Sequence, residues 1–175
     1  MHEFEDTTST PDRLTDTEVG HLVAALDDEY QARATFAQVI EDFGNVRPFS
    51  NIVDAEDRHA RALINVFERY DIPVPADTWP GRAPRYDSLQ AACEAGVTAE
   101  IANAALYDEL LAGTERADIS EVYRNLREAS QQRHLPAFRR CAERSDDTGS
   151  DATPSHPDHR LRRRRRRWRG GRPNE

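Results

Sequence analysis

The sequence predicts an all-α protein, a bundle of four helices arranged as two antiparallel hairpins. Three observations predict it. In four separate stretches of the 175-residue chain, apolar residues recur at intervals of three and four, the spacing that turns one face of a helix toward a core. Residues that start and stop helices bracket these stretches. No apolar/polar alternation is long enough to read as a strand.

The first helix opens at Thr15, with Glu18 three residues on, a capping box in which each side chain satisfies the other's backbone N–H. It runs through Leu22, Leu26, Glu29, Phe36, Ile40 and Phe43 and stops at Gly44, a good helix terminator. The second follows a short turn containing Pro48 and extends to about Tyr70, with Ile52, Leu63, Val66 and Tyr70 on its apolar face. The third begins after Ser88, carries Leu89, Cys93, Val97, Glu100, Tyr107 and Leu110, and ends at Gly113. The fourth is expected to open with Asp118 and Glu121 as cap and partner. Its stripe is Ile119, Val122, Leu126, His134, Phe138 and Cys141. Pro136 falls inside that stripe and removes a backbone donor, so a kink or an early end is expected there.

Short links join helices one and two, and three and four. The middle link differs. Asp71–Asp87 contains Pro73, Pro75, Pro80 and Pro84, which exclude a regular helix, and Trp79, which should pin the segment to the bundle. A connection of this length is needed when it must run along a bundle. Two hairpins joined by one long crossover is the ferritin-like arrangement. The chain therefore divides into a flexible N-terminus (1–13), a ferritin-like four-helix domain (14–144) and a tail (145–175). The tail is polar, punctuated by Pro154 and Pro157, and closes with Arg162–Arg167 around Trp168, the composition of a disordered segment.

Composition narrows the function classes. No apolar run approaches the roughly 20 residues of a membrane-spanning helix, and Met1–Asp6 does not resemble a signal peptide. A cytoplasmic protein is expected. Cys93 and Cys141 lie on separate helices without CxxC spacing and read as two small buried hydrophobes in a reducing compartment. Charge is asymmetric: residues 1–145 hold 15 Arg against 27 Asp and Glu, residues 146–175 hold 9 Arg against 5. The basic tail is a weak candidate for nucleic acid or an acidic membrane surface.

The chemistry sits on the apolar stripes. Glu56 and His59 are three residues apart, about one helical turn, and leave the same face. Glu29 lies between Leu26 and Phe36, Glu100 on the third stripe, and His134 between Leu126 and Phe138. Unpaired ionisable groups in a core are costly, and a bound cation is the simplest compensation. Di-metal carboxylate bundles use a Glu from each of two helices and a Glu-x-x-His from each of the other two. The order Glu29, Glu56 with His59, Glu100, His134 fits that pattern except that Gln131 and Ser130 stand three and four residues before His134. The second motif lacks its carboxylate, so three carboxylates face two divalent ions and a mononuclear site competes with a dinuclear one. The metal-free alternative is a buried polar network, with Glu29 paired to Arg33 or Arg58 and His59 to Glu100. Such burial rarely repays its desolvation.

Asp28-Glu29-Tyr30, Phe43-Gly44, Pro48-Phe49-Ser50-Asn51-Ile52, Ala55-Glu56-Asp57-Arg58-His59, Gly96 to Ile101, and Ser130 with His134 to Phe138 resemble a bacterial and archaeal ferritin-like family of unknown function. The resemblance covers Leu14 to Cys141 and is similar in fold to rubrerythrins and bacterioferritins. It implies a four-helix bundle with Glu29, Glu56, His59, Glu100 and His134 as metal ligands. Members like this chain generally lack the second carboxylate on helix four.

Oxygen and nitrogen donors suit iron, in one or two ions, or manganese. The function expected is an iron-dependent oxidase or peroxide-consuming protein, an oxidoreductase taking oxygen or peroxide as its small substrate, in a chain that could form a homo-oligomer. The alternative is a metal-binding or structural module without turnover. Paired CxxC motifs of a rubrerythrin electron-transfer module, CxxCH haem attachment and Gly-x-Ser-x-Gly are all absent from the sequence.

Overall fold

Residues 13–149, with side chains through Arg144, are described by the computed structural model of the chain. Its elements are α1 (Asp16–Phe43), α2 (Phe49–Arg69), α3 (Leu89–Ala112), α4 (Ala117–Ala129), a π-turn (Ser130–His134) and α5 (Leu135–Gly149). The last three form one continuous rod, so the architecture is a four-helix bundle, all-helical among the described residues. Residues 1–12 and 150–175, with the Arg-rich run, lie outside the described residues; α5 runs to Gly149, past the tail boundary expected at 145.

The local signals act as read. Thr15 Oγ1 accepts from the Glu18 N–H at 3.2 Å while Glu18 Oε2 accepts from the Thr15 N–H at 2.9 Å. Gly44 closes α1 at φ 87°, a left-handed conformation that glycine adopts without a Cβ penalty. Ser88 Oγ caps α3 through the Ala91 N–H at 3.1 Å. Asp118 and Glu121 do not cap α4: its N-cap is Arg116, without a side-chain hydrogen bond. Asp118 is drawn off by Arg69 at 2.8 Å and the Tyr70 hydroxyl at 3.1 Å.

The core falls into two apolar clusters. One gathers Leu22, Leu26, Leu63, Phe67, Tyr107, Ile119 and Leu126; the other gathers Phe36, Val39, Phe49, Ile52, Cys93, Phe138 and Cys141. Along α1 the chain passes from the first cluster to the second, along α2 from the second to the first, along α3 again from the second to the first, and along α4–α5 back. α2 and α3 therefore point the same way. The link between them must return along the bundle, roughly 30 Å for a helix of this length. That is the crossover, and it is tied down. Trp79 Nε1 donates to Asp27 Oδ1 at 2.9 Å, and Arg33 bridges Asp57 and Asp77.

Two expectations are corrected here. The fourth rod neither ends nor stops being helical at Pro136. The chain widens into the π-turn just upstream, where the Leu135 N–H reaches the Ser130 carbonyl, and Pro136 then falls in the first turn of α5, where a missing donor matters least. The cysteines are not two separate thiols: Cys93 and Cys141 are disulfide-bonded, with Cα atoms 5.7 Å apart. The antiparallel packing of α3 on α5 brings them to the same level, and it is close because a Cβ at Gly96 would run into the Phe138 ring. No helix among the described residues is long and apolar enough to cross a membrane.

Candidate metal centre

Between the two apolar clusters lies a belt of ionisable side chains, one level deep, to which every rod contributes. Glu29 (α1), Glu56 (α2), Glu100 (α3) and His134 (π-turn) are all at most 5% exposed, and the His59 side chain is 14% exposed. The structure thus brings together all five residues that the sequence singles out. Helical periodicity achieves this because each belongs to a stripe whose neighbours are core residues.

The five form two groups of three with one member in common. Glu29, Glu56 and His59 present ligand atoms within 4.8 Å of one another, and so do Glu56, Glu100 and His134. Glu56 divides its oxygens between them: Oε2 lies 2.7 Å from His59 Nδ1, and Oε1 lies 3.1 Å from His134 Nδ1. Glu29 Oε2 is 3.3 Å from His59 Nδ1, and Glu100 Oε1 is 3.5 Å from His134 Nδ1. The two imidazoles stack with centroids 5.4 Å apart. Each group offers two carboxylates and one imidazole, and these buried groups are able to hold a metal ion.

Electrostatics make the belt a store of protons. Burial pushes the Glu29 carboxyl up to about 8, against the pull of His59. Burial acts on Glu56 in the same direction, but its hydrogen bonds to His134 and His59 prevail and hold it down at about 2. Burial alone would lower both histidines; Glu29 and Glu56 raise His59 to about 9, and Glu100 and Glu56 raise His134 to about 9. The two adjacent carboxylates are thus pushed in opposite directions, Glu29 up by burial and Glu56 down by its two histidine partners.

Several further residues support the five. The Tyr107 hydroxyl donates to Glu29 Oε1 at 2.5 Å in full burial. Asn103 donates to Asp28 Oδ2 at 2.7 Å, and burial raises the Asp28 carboxyl. Asp28 joins Glu29, Glu56 and Glu100 in lining a cavity of about 210 Å³ on the α1–α3 side, bordered by Pro84 and Tyr86 of the crossover. Asp28 precedes Glu29, and no periodicity argument would place both at the site.

The fold has a structural relative. The chain is similar to a hypothetical protein from Methanococcus jannaschii of known crystal structure, at 23% identity and a TM-score of 0.69, over 76% of this chain and 83% of that one. No family model and no curated protein matches the chain. The likeness concerns the fold alone and carries no activity with it.

Two pairings offered by the sequence are replaced. Arg33 does not meet Glu29, because Asp57 and Asp77 take both ends of its guanidinium. His59 faces Glu29 and Glu56, and Glu100 faces His134. Gln131 is exposed and outside the belt. The π-turn packs more than four residues into a turn, so Ser130, four before His134, occupies the inward slot. Its Oγ donates to Glu100 Oε2 at 2.6 Å.

Proposed function

We propose that this is a ferritin-like non-haem metal protein in which Glu29, Glu56 and His59 hold one divalent cation and Glu56, Glu100 and His134 hold a second, with Glu56 shared. The single observation that carries the reading is the pair of three-residue groups meeting at Glu56. Hard carboxylate oxygens with imidazole nitrogens favour iron, with manganese next. Bound iron would supply one-electron chemistry with oxygen or peroxide, which makes iron(II) oxidation or peroxide removal the reaction class.

The residues around the belt divide the remaining work. Tyr107 orients Glu29, Ser130 orients Glu100, and the apolar clusters above and below exclude water. Protons held by Glu29, His59 and His134 leave when cations take their places.

Metal content of anaerobically purified protein, with Glu56→Ala beside it, tests the reading. About two irons per chain, lost in the variant, is the expected result. One iron lost in the variant would reduce it to a mononuclear centre, and no metal in either after anaerobic iron(II) reconstitution would overturn it. A second reading, a metal-binding or structural module without turnover, is favoured by Ser130 in place of a fourth carboxylate. Failure of the reconstituted protein to consume oxygen or peroxide would select it.

A further inference from the structure

A second cavity opens on the opposite side of the bundle, between α2 and the α4–π-turn segment, and it differs in chemistry from the first. Its volume is about 520 Å³, inside the roughly 300–1,000 Å³ range of small-molecule sites, whereas the acidic cavity is about 210 Å³. Both cavities reach His59, His134 and Leu126. The stacked imidazoles therefore stand between them.

The walls of the larger cavity are apolar, from Ile52, Ala55, Leu126 and Ala137. Its rim carries Arg58 and Arg133, both exposed. Neither has a carboxylate within ion-pair distance among the described residues, a state they share with Arg47, Arg61, Arg124, Arg139 and Arg140; what sets them apart is their place on one cavity rim. In a chain of net charge −8, they place two positive charges at one apolar opening whose lining holds no carboxylate. The exposed Asn51 and Asn125 carboxamides complete the rim.

We infer that this cavity binds a small amphiphilic carboxylate, its anionic head held by Arg58 and Arg133 and its short aliphatic body lying against the α2 and α4 walls toward the two histidines. Guanidinium groups suit the head because a carboxylate accepts two parallel N–H donors from each. The apolar walls suit the body because they gain by being covered. A bare inorganic anion would leave the cavity half filled, and an organic cation would be repelled at its rim. The two faces of the bundle then have complementary roles: the acidic cavity admits cations to the belt, and the basic one admits an organic anion. Binding does not depend on metal in the belt, so the proposal stands or falls apart from the metal reading.

The experiment is calorimetric titration of the metal-free full-length chain with hexanoate, hexylammonium and inorganic phosphate in turn, with the His59 and His134 imidazole NMR signals followed alongside. Hexanoate is expected to bind and to move both imidazole signals, and hexylammonium to do neither. Arg58→Gln and Arg133→Gln should each weaken hexanoate about tenfold, the loss of one charge-assisted contact, and Ala62→Leu should weaken it by filling the wall. Equal binding of hexylammonium, or no response to the arginine variants, would overturn the proposal. So would phosphate binding as tightly as hexanoate with Ala62→Leu harmless, which would make this a bare anion site. No hexanoate binding, together with a change of oligomeric state in the arginine variants, would make this face an interface between copies of the chain and likewise overturn it.

Discussion

Ser130 Oγ lies 2.6 Å from Glu100 Oε2 and 3.1 Å from the Glu100 carbonyl oxygen, and its single O–H goes to the nearer carboxylate oxygen, which it orients. It occupies the slot in which a fourth carboxylate would complete a symmetric di-metal set. Ser130→Asp should therefore raise affinity at the Glu56–Glu100–His134 position, and Ser130→Ala, which frees Glu100, should lower it by roughly 10-fold, the usual range for an orienting partner of a ligand. Competition with a chromophoric chelator measures both, and equal affinity in all three proteins would remove Ser130 from the account.

Metal-free protein should be most stable in mild acid. The histidines have folded values of about 9 against an ordinary 6.5, so their contribution is complete below 6.5 and disappears as pH rises through 9. Glu29, at about 8 against 4.5, keeps a proton the unfolded chain has lost, which removes stability as pH rises from 4.5 to 8. Glu56, at about 2 against 4.5, contributes above 4.5 and ceases to as pH falls through 2. The optimum lies near 4.5, where Glu56 contributes in full and Glu29 has not begun to cost. Thermal melts across pH check this, and metal affinity should run the other way, strengthening as pH rises past neutrality because binding releases protons.

Tyr107→Phe removes the Glu29 donor without changing the packing shape. A buried carboxyl losing a partner costs about 1–3 kcal/mol, read as a lowered melting temperature in metal-free protein. Metal should recover part of that loss by occupying Glu29 from its other oxygen. A melting temperature unchanged by the substitution would mean that the hydroxyl contributes nothing to holding Glu29.

Gly96→Ala should destabilise by about 1–3 kcal/mol, the usual range for overpacking, since its Cβ would enter the Phe138 ring. Phe138→Leu in the same chain should restore part of the loss. Two additive substitutions would place the strain elsewhere.

Paired replacement of Cys93 and Cys141 by serine should cost about 2–4 kcal/mol. Intact mass after alkylation, with and without reductant, establishes that the wild-type pair is bonded.

Short-range features of the fold were legible in the sequence. Thr15 with Glu18, Gly44 and Ser88 act within one turn of themselves, and local sequence determines such contacts. The belt was legible because 3.6-residue periodicity projects Glu29, Glu56, Glu100 and His134 inward whatever their partners are. What periodicity cannot convey is the choice among partners on different rods. Arg33 could reach acidic groups on α1, α2 or the crossover, and the tertiary packing selects Asp57 and Asp77 over Glu29. Cys93 and Cys141 share a level only because Gly96 lets two helices approach. Ser130 replaced Gln131 at the site because one π-turn breaks the very period on which the reading depended.

The sharing of Glu56 makes the two proposed metal positions unequal in the order in which they come into being. Glu29, Glu56 and His59 all belong to the α1–α2 hairpin, so that position is complete as soon as two neighbouring helices close a short loop. The other borrows Glu56 and must wait until the crossover has been traversed and His134 has arrived on the last rod, a closure over a much longer stretch of chain and correspondingly slower. During synthesis, the first half of the protein would already present a cation site while the second is still being made. An ion captured there would fix Glu56 in place for the later partner, making the earlier position a template on which the rest of the bundle assembles.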